Sequence, residues 1–140
     1  MVVIQDRVRF VETDLMGVVH HSNYFRWFEM GRVEYLRQAG VFLTDLLEDG
    51  IIFPIRDVSC QYRSPSRFDD LIRIETTMDE LSPVKMVFGY RIVKVDDDVL
   101  LASGKTMNLF TNSTGKIIRL PGKYYERLQA FTEDSQSTQF

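Results

Sequence analysis

The stretch Thr13–Arg32, TDLMGVVHHSNYFRWFEMGR, decides how the rest of the chain is read. It places a lone carboxylate (Asp14), a turn glycine (Gly17), both histidines of the protein (His20 and His21) and a helix start close together in sequence. Just upstream, Val8, Phe10 and Glu12 alternate as a strand does. From Ser22 or Asn23 onward the apolar spacing becomes helical, and both residues are favoured N-cap types. The first turn of a helix has free N–H groups and partial positive charge, which can hold a carbonyl oxygen as it turns negative. A carboxylate on the preceding loop can attack the carbonyl carbon or activate a water. The chemistry this favours is acyl transfer or hydrolysis.

Working outward, residues 3–12 read as a strand with one face toward a core. The helix is expected from Asn23 to about Ala39, with Gly40 as its stop. On it Tyr24, Phe25, Phe28, Tyr35, Leu36 and Ala39 share one broad aromatic arc. Glu29 and Arg32 fall on or beside that arc, three residues apart, as a structural ion pair or as part of a site. Thr44 caps a short helix over 44–49. Strands follow at 51–62, bent at Pro54, then at 71–81, 84–95 and 99–111, with Asp96-Asp97-Asp98 turning the last pair into a hairpin. A turn at 112–115 leads to a short continuation over 116–120, and Pro121 opens a final helix over 122–131. Residues 132–140 read as a polar, frayed tail beyond a single domain, 1–131.

This order is an α+β architecture. One long central helix buries its aromatic face against the concave side of a curled antiparallel sheet of five or six strands. One helix cannot cover such a sheet, so a second copy of the chain is expected on the remaining edge: a homodimer, extended to a homotetramer.

Composition removes several classes of function. With 140 residues, 44% hydrophobic and 26% charged, the chain is one ordinary globular domain rather than a disordered segment. A net charge of −3 without a basic block argues against nucleic acid as a partner. The single cysteine, Cys60, rules out an internal disulfide and a cysteine metal cluster, and suits the reducing cytoplasm. It lies mid-strand with no adjacent histidine, as a small core residue does. No apolar run is long enough to span a membrane. Neighbouring histidines diverge, and no HxxxH or CxxC spacing exists, so no metal is expected.

The segment from Thr13, T-D-x-x-G-V-V-x-H-x-N-Y-x-x-W-x-E-x-x-R, resembles the 4-hydroxybenzoyl-CoA thioesterase family of hotdog-fold proteins, including the acyl-CoA thioesterases found with the Tol-Pal genes of bacteria. The run PSRFDDLIRIET at 65–76 is similar to a second family segment, and the strand order agrees from residue 3 to about 128. The resemblance implies a thioester hydrolase acting on an acyl-CoA, with coenzyme A as part of the substrate and no other cofactor. It makes Asp14 the catalytic carboxylate, as nucleophile or as base for water. Without it, an aspartate there reads equally as a loop cap. The family histidine falls on His21, beside the thioester, where its side chain can donate to the substrate or orient water and its backbone N–H serves as oxyanion donor. His20 stands where many relatives carry tyrosine and is assigned a supporting role. Gly17 is expected to hold a left-handed or crowded turn that admits substrate. Asn23 is a helix cap, Tyr24 a tunnel-lining or core aromatic, and Glu29 either the partner of Arg32 or an orderer of the catalytic loop. Arg63, Arg67 and Lys85 match the positions from which cations would meet the phosphates of coenzyme A.

Three other functions use similar parts. An acyl-carrier-protein thioesterase is disfavoured by the net negative charge, which would repel an acidic carrier. A hotdog enoyl-thioester hydratase places its acid and histidine on another segment, and would shift enoyl absorbance without releasing thiol. A non-catalytic acyl-CoA-binding protein would keep the tunnel but have no need of Asp14.

Overall fold

A computed structural model describes residues 1–137. The elements are β1 (Val2–Arg7), α1 (Ser22–Gln38), α2 (Leu43–Glu48), β2 (Ile55–Tyr62), β3 (Leu71–Ser82), β4 (Lys85–Lys94), β5 (Val99–Leu109) and α3 (Gly122–Ser137). The five strands make one antiparallel sheet in the order β1-β3-β4-β5-β2. β3, β4 and β5 form a meander because short turns, at 83–84 and 95–98, join them. Asp98, in the last of these turns, adopts a positive φ of 57°, which aspartate tolerates better than most residues. β1 and β2 occupy opposite edges, so α1, between them in sequence, must cross the sheet.

Alternation fixes the face it crosses. In the β3–β4 register Ile74 opposes Ile92, Thr76 opposes Tyr90 and Met78 opposes Phe88, and all six are buried. These residues make an apolar floor under α1, while the intervening Arg73, Thr77 and Arg91 point away from it. The helix approaches this floor closely. A Cβ at Gly31 would lie 2.1 Å from Thr76 Oγ1, and one at Gly104 would lie 2.6 Å from the Phe28 ring. Phe28 also stacks on Tyr90 at 4.3 Å and 10°.

Most of the expected helix arc is buried, but it is rotated. Trp27 and Gly31 face the core, whereas Phe25 remains 41% exposed. The contacts of α1 are with β1, β3 and β4, which turns the Phe25 side of the helix away from the sheet. Arg32 is buried and donates to the Tyr90 hydroxyl at 3.3 Å, which shares a 2.6 Å hydrogen bond with Thr106 Oγ1. The ion pair between Glu29 and Arg32 does not form, since Glu29 is exposed and Arg32 points into the core.

Several boundaries also differ from the expectation. The first strand ends at Arg7, and Phe10–Glu12 make a turn of 3-10 helix whose Glu12 carboxylate accepts from the Arg9 amide at 2.7 Å. This turn diverts the chain from the sheet edge into the Asp14 loop. Pro54 has no N–H to give a ladder, and β2 begins only after it; Ile52 makes an isolated bridge to Thr111. The terminal helix runs to Ser137 rather than to 131. Thr132, buried, shares a 2.8 Å hydrogen bond with the Tyr35 hydroxyl, which anchors α3 on α1 beyond the expected end. Residues 138–140 of the expected tail lie outside the described residues.

Candidate active site

The loop between β1 and α1 is built as a small hairpin. Thr13 bridges Val19, the Asp14 amide donates to Val18 O at 2.9 Å, and Gly17 N donates to Asp14 O at 3.0 Å. Gly17 has φ +78°, and a Cβ there would meet nothing within 4 Å. Glycine is needed for the backbone angle, not for space. One Asp14 carboxylate oxygen accepts from the Met16 amide at 2.8 Å, which fixes the side chain over the turn. The other oxygen has no partner among the described residues and faces a loop whose Leu15 and Met16 are fully exposed.

From this hairpin the chain enters α1 under tight control. Val19 N donates to Ser66 O at 2.8 Å and His20 N to Glu12 O at 2.9 Å. The N-cap residue is His21, which makes no side-chain cap bond; before it, His20 Nδ1 accepts from the Ser22 amide at 3.2 Å and pairs with Ser22 Oγ at 2.8 Å. Asn23, expected as the cap, is instead buried, and its amide donates to Glu12 O at 2.9 Å and His20 O at 3.3 Å. It ties the helix start back to the strand exit. The His21 amide donates to no described residue, so this N–H at the head of a seventeen-residue helix is open to a ligand.

Beside that amide lies a cavity of about 240 Å³ lined by Val18, Val19, His21, Tyr24, Tyr62 and Arg63, closed by Ser64 and Pro65. The His21 ring stacks on Tyr62 at 4.0 Å and 14°, and Tyr24 meets Tyr62 edge-on at 5.2 Å. The Tyr62 hydroxyl donates to His21 O at 3.3 Å. Burial, with Cys60 alongside, pushes the Tyr62 phenol up to about 12. Burial also raises Tyr24, whose hydroxyl pairs with Ser66 Oγ at 2.9 Å, and it raises the Cys60 thiol. These phenols and the thiol therefore stay protonated at neutral pH.

The structure thus gathers His21, Tyr24 and Arg63 around one cavity, with Asp14 and Gly17 in the hairpin that carries Val18. Arg67 joins them through its backbone, which bridges Val18, and its side chain is exposed. Arg63 donates to Gln61 at 2.7 Å. Two expected residues lie elsewhere in the protomer. Glu29 sits on the solvent side of α1 with Arg26 and Met30. Lys85 pairs with Glu80 at 3.3 Å across the β3–β4 turn. That turn is at the far end of β3, roughly 35 Å from its start by strand rise. Tyr62 and Ser66, absent from the expected set, enter the site because β2 and the 64–67 loop converge on the head of α1; Ser66 falls inside the 65–76 run, whereas no local sequence pattern marks Tyr62. Among the described residues no three His, Cys, Asp or Glu side chains converge as a metal site requires. No described helix is long and apolar enough to cross a membrane.

The fold, a sheet wrapped on one long helix with a carboxylate loop at the helix head, is the hotdog fold of thioester hydrolases. The chain belongs to the thioesterase-like superfamily, whose family model matches residues 8–131. A putative esterase of Aquifex aeolicus is 35% identical over 123 residues, covering 88% of this chain and 94% of that protein. The acyl-CoA thioester hydrolase YbgC of Shigella flexneri is 32% identical over 94 residues, 67% of this chain and 70% of that one. Among solved structures, a DHNA-CoA thioesterase from Staphylococcus aureus superposes with a TM-score of 0.86 at 28% identity, covering 96% of this chain and 90% of that chain.

Proposed function

We propose that this protein hydrolyses acyl-CoA thioesters to free acid and coenzyme A, with Asp14 as the reacting carboxylate. The observation that carries this reading is a half-engaged aspartate, in the hairpin whose Val18 lines the cavity, together with the unengaged helix-head amide of His21, which lines the same cavity. The thioester carbonyl oxygen accepts from the His21 N–H, where the helix dipole favours the developing oxyanion. Asp14 then attacks the carbonyl carbon, the C–S bond breaks, and coenzyme A leaves as its thiolate, which is neutralised by the proton given up by the water of the next step. Water cleaves the resulting mixed anhydride and regenerates the carboxylate. In the general-base variant, Asp14 takes the proton of a water that attacks the same carbon. Val18, Val19 and Tyr24 wall the acyl group, while Arg63 and Arg67 lie on the exposed side where phosphates would sit.

The working unit is a homodimer, able to pair into a homotetramer. β2 pairs with β5 along one side only, and it exposes Ile55, Val58 and Tyr62 by 39 to 44%. A second β2 would satisfy that open edge. It would also cover apolar side chains next to the cavity, and Lys85 would reach a site only in the neighbouring protomer. The enzyme works in the cytoplasm, in line with its unpaired cysteine.

Thiol release from a panel of aromatic and aliphatic acyl-CoAs tests the reading. The wild type should release thiol, and Asp14→Asn should lose roughly two decades or more of kcat with KM kept, the mark of a group acting in the transition state. An Asp14→Asn enzyme with wild-type kcat would refute the assignment.

A further inference from the structure

We propose that Tyr62 is the positioning residue of the site, clamping His21 by ring and backbone so that its amide and imidazole face the thioester. The inference rests on the hydrolase reading of the same cavity and adds a residue that the loop motif does not contain.

Two contacts made by one side chain carry it. The phenol ring lies flat against the imidazole at 4.0 Å and 14°, and its hydroxyl reaches past that ring to donate to the carbonyl of the same residue at 3.3 Å. Neither contact alone would define His21. Stacking leaves a ring free to slide, and one hydrogen bond to a carbonyl leaves χ1 free. Together they fix both the side-chain rotamer and the peptide plane. That carbonyl also accepts the Tyr24 amide at 3.2 Å, so it belongs to the first turn of the helix, and the phenol reinforces it. The other histidine shows the contrast: His20 is held by its own neighbour Ser22 and needs no residue from afar. His21 is exposed and has no side-chain hydrogen bond among the described residues; its ring is located by Tyr62.

Tyr62 is itself well placed to act as a reference point. Tyr24 abuts it edge-on at 5.2 Å, and Tyr24 is pinned by Ser66. The backbone of Tyr62 is held in the β2–β5 ladder opposite Ala102. A rigid sheet residue therefore sets the geometry of a loop residue, which is how a pre-organised donor is kept at fixed distance from a reacting oxygen.

The test uses the full chain as Tyr62→Phe and Tyr62→Leu. The first keeps the stack and removes the hydroxyl; the second removes both. Positioning predicts a graded loss of kcat, a few-fold for the phenylalanine and ten-fold or more for the leucine, with KM changed by less than about three-fold. In a His21→Ala background the leucine substitution should cost little further, because its effect passes through His21. A readout independent of turnover is available because the chain has only two histidines. The ring protons of His21 should be displaced upfield by the Tyr62 face in the wild type, stay so in Tyr62→Phe and move downfield in Tyr62→Leu, with His20→Asn used for assignment. A rise in KM at constant kcat, an additive loss in the His21→Ala background, or His21 ring protons unmoved by Tyr62→Leu would overturn the proposal. If Asp14→Asn stays active while the ring protons respond as stated, the thioesterase mechanism fails and the clamp stands.

Discussion

Gly31→Ala sets two known effects against each other, and the structure decides the sign. In an exposed helix interior this change stabilises by about 1 kcal/mol, because glycine is the poorer helix former. Here the new methyl would lie 2.1 Å from Thr76 Oγ1, 3.3 Å from Ile74 Cγ2 and 3.4 Å from Thr76 Cβ. An ordinary contact needs well over 3 Å, so helix and strand must separate by more than an ångström or Thr76 must turn. Turning brings limited relief, since Thr76 branches at Cβ, only one of its three staggered rotamers points a hydrogen at the methyl, and Cβ itself stays 3.4 Å away. Overpacking of this kind costs about 1–3 kcal/mol and here displaces the helix along the floor formed by Ile74, Thr76 and Tyr90. The net expectation, overpacking less propensity, is destabilisation by up to about 2 kcal/mol, read as a lower urea midpoint with an unchanged slope, at one fixed protein concentration because assembly shifts apparent stability. Thr76→Ala removes the obstructing atom and one buried hydroxyl without a partner, so the double variant should recover most of the loss. A Gly31→Ala protein more stable than the wild type would refute the close approach of α1 to β3.

Other expectations follow from the loop and the helix ends. Asn23→Ala should cost about 1 kcal/mol, because Glu12 O and His20 O lose their shared side-chain donor while keeping the backbone amides of His20 and Asn23; thermal unfolding checks this. Gly17→Ala puts an L side chain at φ +78°, which costs about 1–2 kcal/mol of strain, and it should lower kcat more than stability because the hairpin that bears Asp14 must shift. Asp49, which accepts from the Tyr124 hydroxyl at 2.5 Å and pairs with Lys123 at 3.0 Å, is held below its ordinary carboxyl value chiefly by the Tyr124 bond. A lowered carboxyl contributes stability above its unfolded value and loses it as pH falls through the folded one. The same contact raises Tyr124 and Lys123, whose contribution is complete below their unfolded values and is lost as pH rises through the folded ones. Stability against pH should therefore flatten at both the acid and the alkaline ends in Asp49→Asn, and an unchanged profile would refute the link between α2 and α3.

The sequence alone determined the class of this fold. Period-two alternation around Ile72–Met78 and Met86–Ile92 sits beside 3.6-period spacing from Tyr24 to Leu36, and each period admits one secondary structure with one buried face. Gly17 and Asp14 were legible because a left-handed turn and a loop carboxylate are local demands met by local residues. Tertiary structure decided the rest. Phe25 satisfies the helical arc yet stays exposed, because the seat of α1 is set by where Gly31 and Gly104 let two backbones approach. Those glycines lie far apart in sequence. Asn23 is chemically a good cap, but burial directed its side-chain amide to Glu12, and the first helical amide, that of Ser22, is met by His20 instead. Tyr62 enters the site through pairing between β2 and β5, and Lys85 is carried to the far end of β3 by the same sheet. Spacing along a chain reports which face a residue takes. Which residues from separate elements meet depends on how closely those elements pack, and that is a property of side-chain volume at contacts formed only on folding.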